Sequence, residues 1–254
     1  MEKKAVFSMT EGSPSMLLLK FTIPMLIGNL FQQFYNMVDS IVVGRFVGSN
    51  ALAAVGATGS LNFLFFAMSF GIAAGVGVVV SQYFGADRMD MVEKSIINGL
   101  YLLVAVSVLM GLSGIVMARW VLISLDTPEI IHEDAVIYMR VSCAGILAIA
   151  AYNGVASVLR ALGDSKTPLY FMVIACFINI GLDLLFVIVF HWSVFGVALA
   201  TVIAQLTAAA GAFAYALYKI PYFHIKKENR PVRKDIISRC FTLGLPIALQ
   251  NALI

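Results

Sequence analysis

Six long apolar stretches alternate with short polar segments along the chain. They cover approximately residues 16–44, 54–83, 96–118, 135–159, 168–190 and 194–218. Each stretch reaches or approaches the roughly 20 residues that a helix needs to cross about 30 Å of hydrocarbon. Backbone groups in lipid must be paired within their own segment, and the sequence lacks the alternating ten-residue pattern of a membrane barrel. The pattern therefore predicts an all-α integral membrane protein, built as a bundle of six transmembrane helices.

The composition agrees with a lipid environment. Hydrophobic residues make up 61% of the chain and charged residues only 12%, which is more apolar surface than one soluble core could bury. The formal net charge is +3, and the basic residues form no stripe, so nucleic acid is not an expected partner. Cys143, Cys176 and Cys240 are odd in number and widely spaced, which argues against a disulfide framework or a cysteine metal site. No cofactor is predicted.

The basic residues are distributed unequally between the two sides of the predicted bundle. With the N-terminus inside, the outer loops carry only Arg45 and Arg119. The inner segments carry Lys3, Lys4, Lys20, Arg88, Lys94, Arg160, Lys166 and the seven basic residues from Lys219 to Arg239. Inner loops of membrane proteins are enriched in Lys and Arg. We therefore expect a multi-pass protein of the cytoplasmic membrane with a cytoplasmic N-terminus.

The last residues of the chain resemble its first span. A further apolar run occupies 241–254, and its Pro246 and Asn251 match Pro24 and Asn29 at a constant offset of 222 residues. Repeated helical units of this kind occur in transporters. The sequence predicts a six-helix lobe at 1–218, a basic cytoplasmic linker at 219–240, and the truncated seventh helix of a second lobe at 241–254.

The first span carries a polar face that is unusual for a membrane helix. Its members, spaced three or four residues apart, are Asn29, Gln32, Gln33, Asn36, Asp39 and Ser40. Hydrogen bonding between helices would explain the amides, but it explains Asp39 poorly. An ionised side chain in hydrocarbon costs at least about 2.5–3.5 kcal/mol, so it usually faces a partner or a watery cavity. Pro24 and Gly28 on the same helix would permit a bend, either static or as part of gating.

The fifth and sixth spans carry a matching set of polar residues. Asn179 and Asp183 are four residues apart and share one face of the fifth span. Asp39, Asp183 and Thr201 each lie about five to seven residues from the outer end of their spans, or roughly 8–10 Å at 1.5 Å per residue. Three helices thus place polar side chains at one depth. We expect them to share a single pocket.

At these residues the chain resembles the multidrug and toxic compound extrusion (MATE) transporters. The resemblance covers essentially the whole chain and is carried by Ile23-Pro24, by FYNMVD at 34–39, by LRALGD at 159–164 with Thr167-Pro168, and by NIGLD at 179–183. It implies one lobe of a twelve-helix transporter with two repeated lobes. It also implies that Asp39, Asn179, Asp183 and Thr201 form a proton or sodium coupling site, in a cavity lined by Gln32, Tyr35, Asn36 and Asn153.

The expected function is export of organic, mostly cationic compounds in exchange for protons or sodium, without enzymatic activity. The expected partners are small-molecule substrates, the lipid bilayer and a C-terminal lobe of the same protein. A flippase for lipid-linked oligosaccharides has a related helix plan, but it should present a more cationic cavity. An intramembrane aspartyl protease also uses two aspartates, but Ile180-Gly181-Leu182-Asp183 lacks the first glycine of its Gly-x-Gly-Asp motif. Carboxylate, amide and hydroxyl groups suit either coupling ion, so sodium and protons both stay open.

Overall fold

The structure is a computed structural model that describes residues 13–253, and within this range the chain forms helices and no strand. The elements are α1 (Pro14–Val42) with a π-helical extension (Val43–Val47), α2 (Ser49–Gly85), α3 (Met89–Ser124), α4 (Glu129–Ala144), α5 (Ile146–Ala161), α6 (Lys166–Leu184) with a second π-helical extension (Leu185–Val189), α7 (Ser193–Lys219), two 3-10 turns (Pro221–Phe223 and Lys227–Asn229) and α8 (Lys234–Ala252). This confirms the predicted all-α fold.

The helices correspond to the apolar stretches of the sequence. By length and composition, four are able to cross a membrane on their own: α2, α3, α6 with its extension, and α7. A fifth span is formed if α4 and α5, which meet at an angle of 40° around Gly145, are counted together. The first predicted span is α1, a continuous helix of 29 residues, or about 43 Å, with the polar face in its second half.

The centre of the bundle is α2, which packs against α3, α4, α5 and α8. Small residues make this possible, because Ala and Gly let two helix backbones approach closely. A methyl group added at Gly75 would lie 2.6 Å from the backbone nitrogen of Gly244 on α8, and one added at Gly244 would lie 2.8 Å from the carbonyl oxygen of Gly71. The helices α2 and α8 are therefore in backbone contact.

The segment between α7 and α8 is tied to the surface of α3. The fully buried amide of Asn98 accepts a hydrogen bond from the backbone N–H of Arg233 at 2.7 Å and donates to the carbonyl of Pro231 at 3.4 Å. The carboxylate of Glu93 accepts from the side chain of Asn229 at 2.8 Å and from the backbone N–H of Lys226 at 3.3 Å. This connection, residues 220–233, is a strap rather than a free linker, and α8 begins at Lys234, inside the predicted linker.

The turn between α5 and α6 is organised by one carboxylate. Asp164 accepts hydrogen bonds from the backbone N–H groups of Lys166 at 3.1 Å and Thr167 at 3.0 Å, and from the Thr167 hydroxyl at 2.6 Å. These bonds satisfy donors at the start of α6 that have no partner within the helix. The turn fixes where α6 begins and hence the height of the residues further along it.

Candidate functional site

The predicted polar residues of α1, α6 and α7 meet inside the bundle. The Thr201 hydroxyl lies 3.3 Å from Asp39 Oδ2 and 3.2 Å from the carbonyl of Val197, so its single hydrogen is shared between two acceptors. Asn179 Nδ2 donates to Thr201 Oγ1 at 3.4 Å. The matching depths inferred from the sequence therefore correspond to direct contacts across three helices.

Asp183 lies beside this chain of hydrogen bonds. Its carboxyl group is the neighbour of that of Asp39, and its side chain is completely buried, whereas Asp39 is 8% exposed. Neither oxygen of Asp183 has a hydrogen-bond partner of normal geometry among the described residues, and the same holds for Asp39 Oδ1 and Asn179 Oδ1. This small cluster thus holds four buried acceptor oxygens without donors, and its two neighbouring carboxylates cannot both carry an uncompensated charge.

The two helices that carry the aspartates end in the same way. The extension of α1 begins four residues after Asp39, that of α6 begins two residues after Asp183, and the two π-helical segments contact each other. Single π turns within α-helices are rare and are often found at functional sites. The local geometry around both carboxyl groups therefore departs from a regular α-helix on the same side.

Asp39 forms part of the wall of a large cavity. The cavity has a volume of about 670 Å³, and α1, α2, α4, α5, α7 and α8 all contribute to its lining. Gln32, Tyr35 and Asn36 line it. Asn153 is not among the residues that line it: it is buried on α5, one turn beyond the lining residue Ile149, and its amide nitrogen has no partner among the described residues. Asp183 lies behind the wall rather than on it.

Several residues that line the cavity or contact its lining were not anticipated. The α2 residues Phe63, Phe66 and Phe70 contribute aromatic rings to the lining, as does Tyr138 from α4. Gln205 donates to the Tyr35 hydroxyl at 3.2 Å and links α7 to α1 one turn from Thr201. The four-residue spacing of Thr201 and Gln205 was the only available signal. The aromatic residues are indistinguishable in sequence from lipid-facing ones.

The predicted bend of α1 concerns residues outside this contact network. Pro24 is buried within the continuous helix, and a methyl group added at Gly28 would meet only Leu169, at 3.8 Å. A proline within a helix removes one backbone hydrogen bond, which is compatible with bending. Bending at these two residues stays a prediction.

Comparison with known proteins identifies the family. A family model described as MatE matches residues 24–185, which is more than half of the chain and includes Asp39, Asn179 and Asp183. The chain belongs to this family. This confirms the resemblance seen in the sequence motifs.

Relatives of this MatE chain agree with the assignment. The probable multidrug resistance protein YpnP of Bacillus subtilis is 30% identical over 249 residues, covering 98% of the chain and 55% of YpnP. A MOP superfamily transporter from Pyrococcus furiosus superimposes with a TM-score of 0.91 at 25% identity, covering 99% of the chain and 56% of that structure. Its binding pocket, of reversed polarity, was taken to suggest a different function.

An outward-facing multidrug resistance MATE transporter superimposes with a TM-score of 0.88 at 26% identity, covering 94% of the chain and 53% of that structure. The chain thus spans about half the length of the relatives it matches. This agrees with the expectation that it forms one lobe.

Proposed function

We propose that this chain forms the ion-coupling half of a membrane exporter that exchanges protons or sodium ions for organic cations. The observation that carries the proposal is the cluster of Asp39, Asp183, Asn179 and Thr201, with its four unpartnered buried oxygens beside a large cavity. Donor-free buried oxygens are costly, and a bound proton or cation removes that cost. The names of the relatives support multidrug export as the activity of the whole protein.

Coupling follows from the position of Asp39 between the ion cluster and the cavity. An ionised Asp39 presents a negative charge to the cavity and attracts a cationic compound. Protonation, or sodium bound between Asp39 and Asp183, cancels that charge and weakens the attraction. An effector can only shift an equilibrium through such a difference in affinity. Export results if neutralisation occurs when the cavity faces outward.

The character of the cavity favours a cationic, largely apolar cargo. Asp39 is the only charged residue among the described residues that line it, and no basic side chain does. The rings of Phe63, Phe66 and Phe70 offer apolar area and faces that attract cations. A cavity for the pyrophosphate of a lipid-linked oligosaccharide needs basic side chains, so this lining disfavours the flippase.

The oxygen set fits sodium as well as a proton. Sodium is bound by carboxylate, amide carbonyl and hydroxyl oxygens, which Asp39, Asp183, Asn179 and Thr201 would all supply. A proton needs only the carboxylates. The hydroxyl of Thr201 therefore distinguishes the two ions, because only sodium would be bound through it.

The test is dye efflux by the natural protein that carries this sequence, reconstituted into vesicles with ethidium as the cargo. Asp39→Asn and Asp183→Asn are expected to lower ion-driven efflux at least about five-fold, the lower end of typical coupling energies. The control is Asp134→Asn, which changes an α4 carboxylate outside the cavity lining. Efflux at the unmodified rate in both cluster variants would refute the coupling site.

A second experiment separates the ions. Efflux is driven once by a sodium gradient with pH equal on both sides, and once by a pH gradient without sodium. If sodium is the coupling ion, only the first gradient drives export, and Thr201→Val raises the sodium concentration required. If the proton is the coupling ion, only the pH gradient drives export, and Thr201→Val retains most of the activity. If neither gradient drives export, ion coupling is contradicted.

A further inference from the structure

A second depression lies on the outside of the bundle, away from the cavity. It has a volume of about 360 Å³, its floor is formed by Ala151, Gly154 and Val158 of α5, and its walls come from α3 and α7. Every residue that lines it is apolar. The floor residues Gly154 and Val158 are buried, whereas Leu206 of α7 on the rim is about half exposed. The depression is therefore a groove that opens towards lipid.

The groove runs along the half of the bundle that ends at the strap. Its walls extend from Ile96 to Leu103 on α3 and from Leu206 to Phe213 on α7, about 10 Å of helix in each case. Phe223 and Ile225 of the strap close it at the end where α3 begins and α7 ends. One leaflet provides about 15 Å of hydrocarbon. The length of the groove thus matches most of one acyl chain in the leaflet on the strap side.

The closed end of the groove carries positive charge. Lys226 and Lys227 follow directly after Ile225, both are exposed, and neither has a carboxylate within salt-bridge distance among the described residues. The nearby carboxylate of Glu93 is occupied by hydrogen bonds from the strap itself. Glu228 is exposed and follows the two lysines. The two ammonium groups are free to meet an anion at the membrane surface.

The shape of the strap fixes these lysines at the groove. Arg230 donates two hydrogen bonds, at 3.3 and 3.4 Å, to the carbonyl of Ile225, the residue that separates the groove from Lys226. Tyr101 of α3 donates to the carbonyl of Arg230 at 3.3 Å. The strap is therefore folded so that an apolar slot and a cationic surface meet at one residue.

We propose that this groove binds an anionic phospholipid, with one acyl chain between α3 and α7 and its phosphate against Lys226 and Lys227. The combination of a purely apolar slot, about two thirds of a leaflet in length, and paired cations at its membrane-surface end fits a lipid better than a helix of another protein, which would leave the lysines without a partner. The site is separate from the ion cluster and stands whether or not the chain is ion-coupled.

The test compares two lipids that differ only in their headgroups. The natural protein that carries this sequence is equilibrated with dioleoyl phosphatidylglycerol or dioleoyl phosphatidylcholine, and retained lipid is counted by native mass spectrometry. We expect phosphatidylglycerol to be retained preferentially. Lys226→Gln combined with Lys227→Gln should reduce that preference by up to about thirty-fold, because each lysine near an anionic surface contributes about 1 kcal/mol. Arg45→Gln, which removes a cation at the opposite end, should leave it unchanged.

Filling the groove tests the acyl chain separately. Ala210→Trp places a large ring in the groove from its exposed α7 rim and should abolish retention of both lipids. Ala105→Trp places the same ring on an exposed position of α3 outside the groove and should have no effect. Equal retention of the two lipids by the unmodified protein, equal loss in both tryptophan variants, or competition by inorganic phosphate alone would overturn the proposal. So would a photo-crosslinker at residue 210 that labels protein instead of lipid.

Discussion

The contact between α2 and α8 gives a quantitative prediction. Gly75→Ala adds one methyl group that would lie 2.6 Å from the backbone nitrogen and 2.7 Å from the Cα of Gly244, well inside van der Waals contact. The close atoms belong to the backbone, so no side-chain rotation relieves the overlap. Forcing extra volume into a packed interior costs about 1–3 kcal/mol.

Helix propensity works in the opposite direction and must be removed from the comparison. Alanine is favoured over glycine in a helix interior by up to about 1 kcal/mol. Gly56→Ala supplies the matched control, because Gly56 lies on the same helix and a methyl group added there meets nothing within 4 Å. The propensity gain is common to both variants. Their difference in stability isolates the helix contact and is expected to be about 1–3 kcal/mol.

The assay is reversible unfolding of the natural protein in mixed detergent micelles, with the free energy of unfolding extrapolated for each variant. Gly75→Ala should be less stable than the unmodified protein, and Gly56→Ala should be equal or more stable. No second substitution at Gly244 can relieve the overlap in Gly75→Ala, because glycine is already the smallest residue. If the two alanine variants have the same stability, α2 and α8 do not approach as closely as described.

Two further predictions concern the strap and the turn between α5 and α6. Asn98→Ala should increase hydrogen exchange at the Arg233 amide roughly ten-fold or more, because a lost hydrogen bond to a buried group costs about 1–3 kcal/mol. Ser107→Ala, a buried change on the same helix that leaves the strap intact, should not change exchange at this amide. Unchanged exchange in Asn98→Ala would contradict the anchoring of the strap by Asn98. Asp164→Ala should lower the free energy of unfolding by about 0.5–2 kcal/mol, because α6 loses its cap. Asp164→Asn should have a stability between those of Asp164→Ala and the unmodified protein. Equal thermal melting temperatures of all three proteins would show that the cap contributes nothing to stability.

Much of the fold was predictable because membrane helices are recognisable in a sequence by their length and hydropathy. The polar face of α1 was also predictable, since six polar residues at helical spacing have no place in lipid. The strap was not predictable. In the sequence, Asn98 resembles any other amide in an apolar helix, and its partners, Pro231 and Arg233, are more than 130 residues away. Asn153 shows the converse case: it lies one turn beyond Ile149, which lines the cavity, yet its own amide is buried and does not line it.

The depth comparison that linked Asp39 to Asp183 assumed a regular rise of 1.5 Å per residue up to the outer end of each span. That assumption fails, because both helices pass into π-helical segments between the aspartate and the outer end. The conclusion nevertheless held, and the reason is structural. The two π segments have the same length of five residues, begin within four residues of their aspartates, and contact each other. Only Val43 and Gly44 of the first segment lie within the predicted span 16–44, whereas all five residues of the second lie within 168–190, so the distortion does not cancel between the two depths. The common height is fixed instead by direct contacts: Thr201 on the regular helix α7 lies 3.3 Å from Asp39 Oδ2 and accepts a hydrogen bond from Asn179, one turn before Asp183.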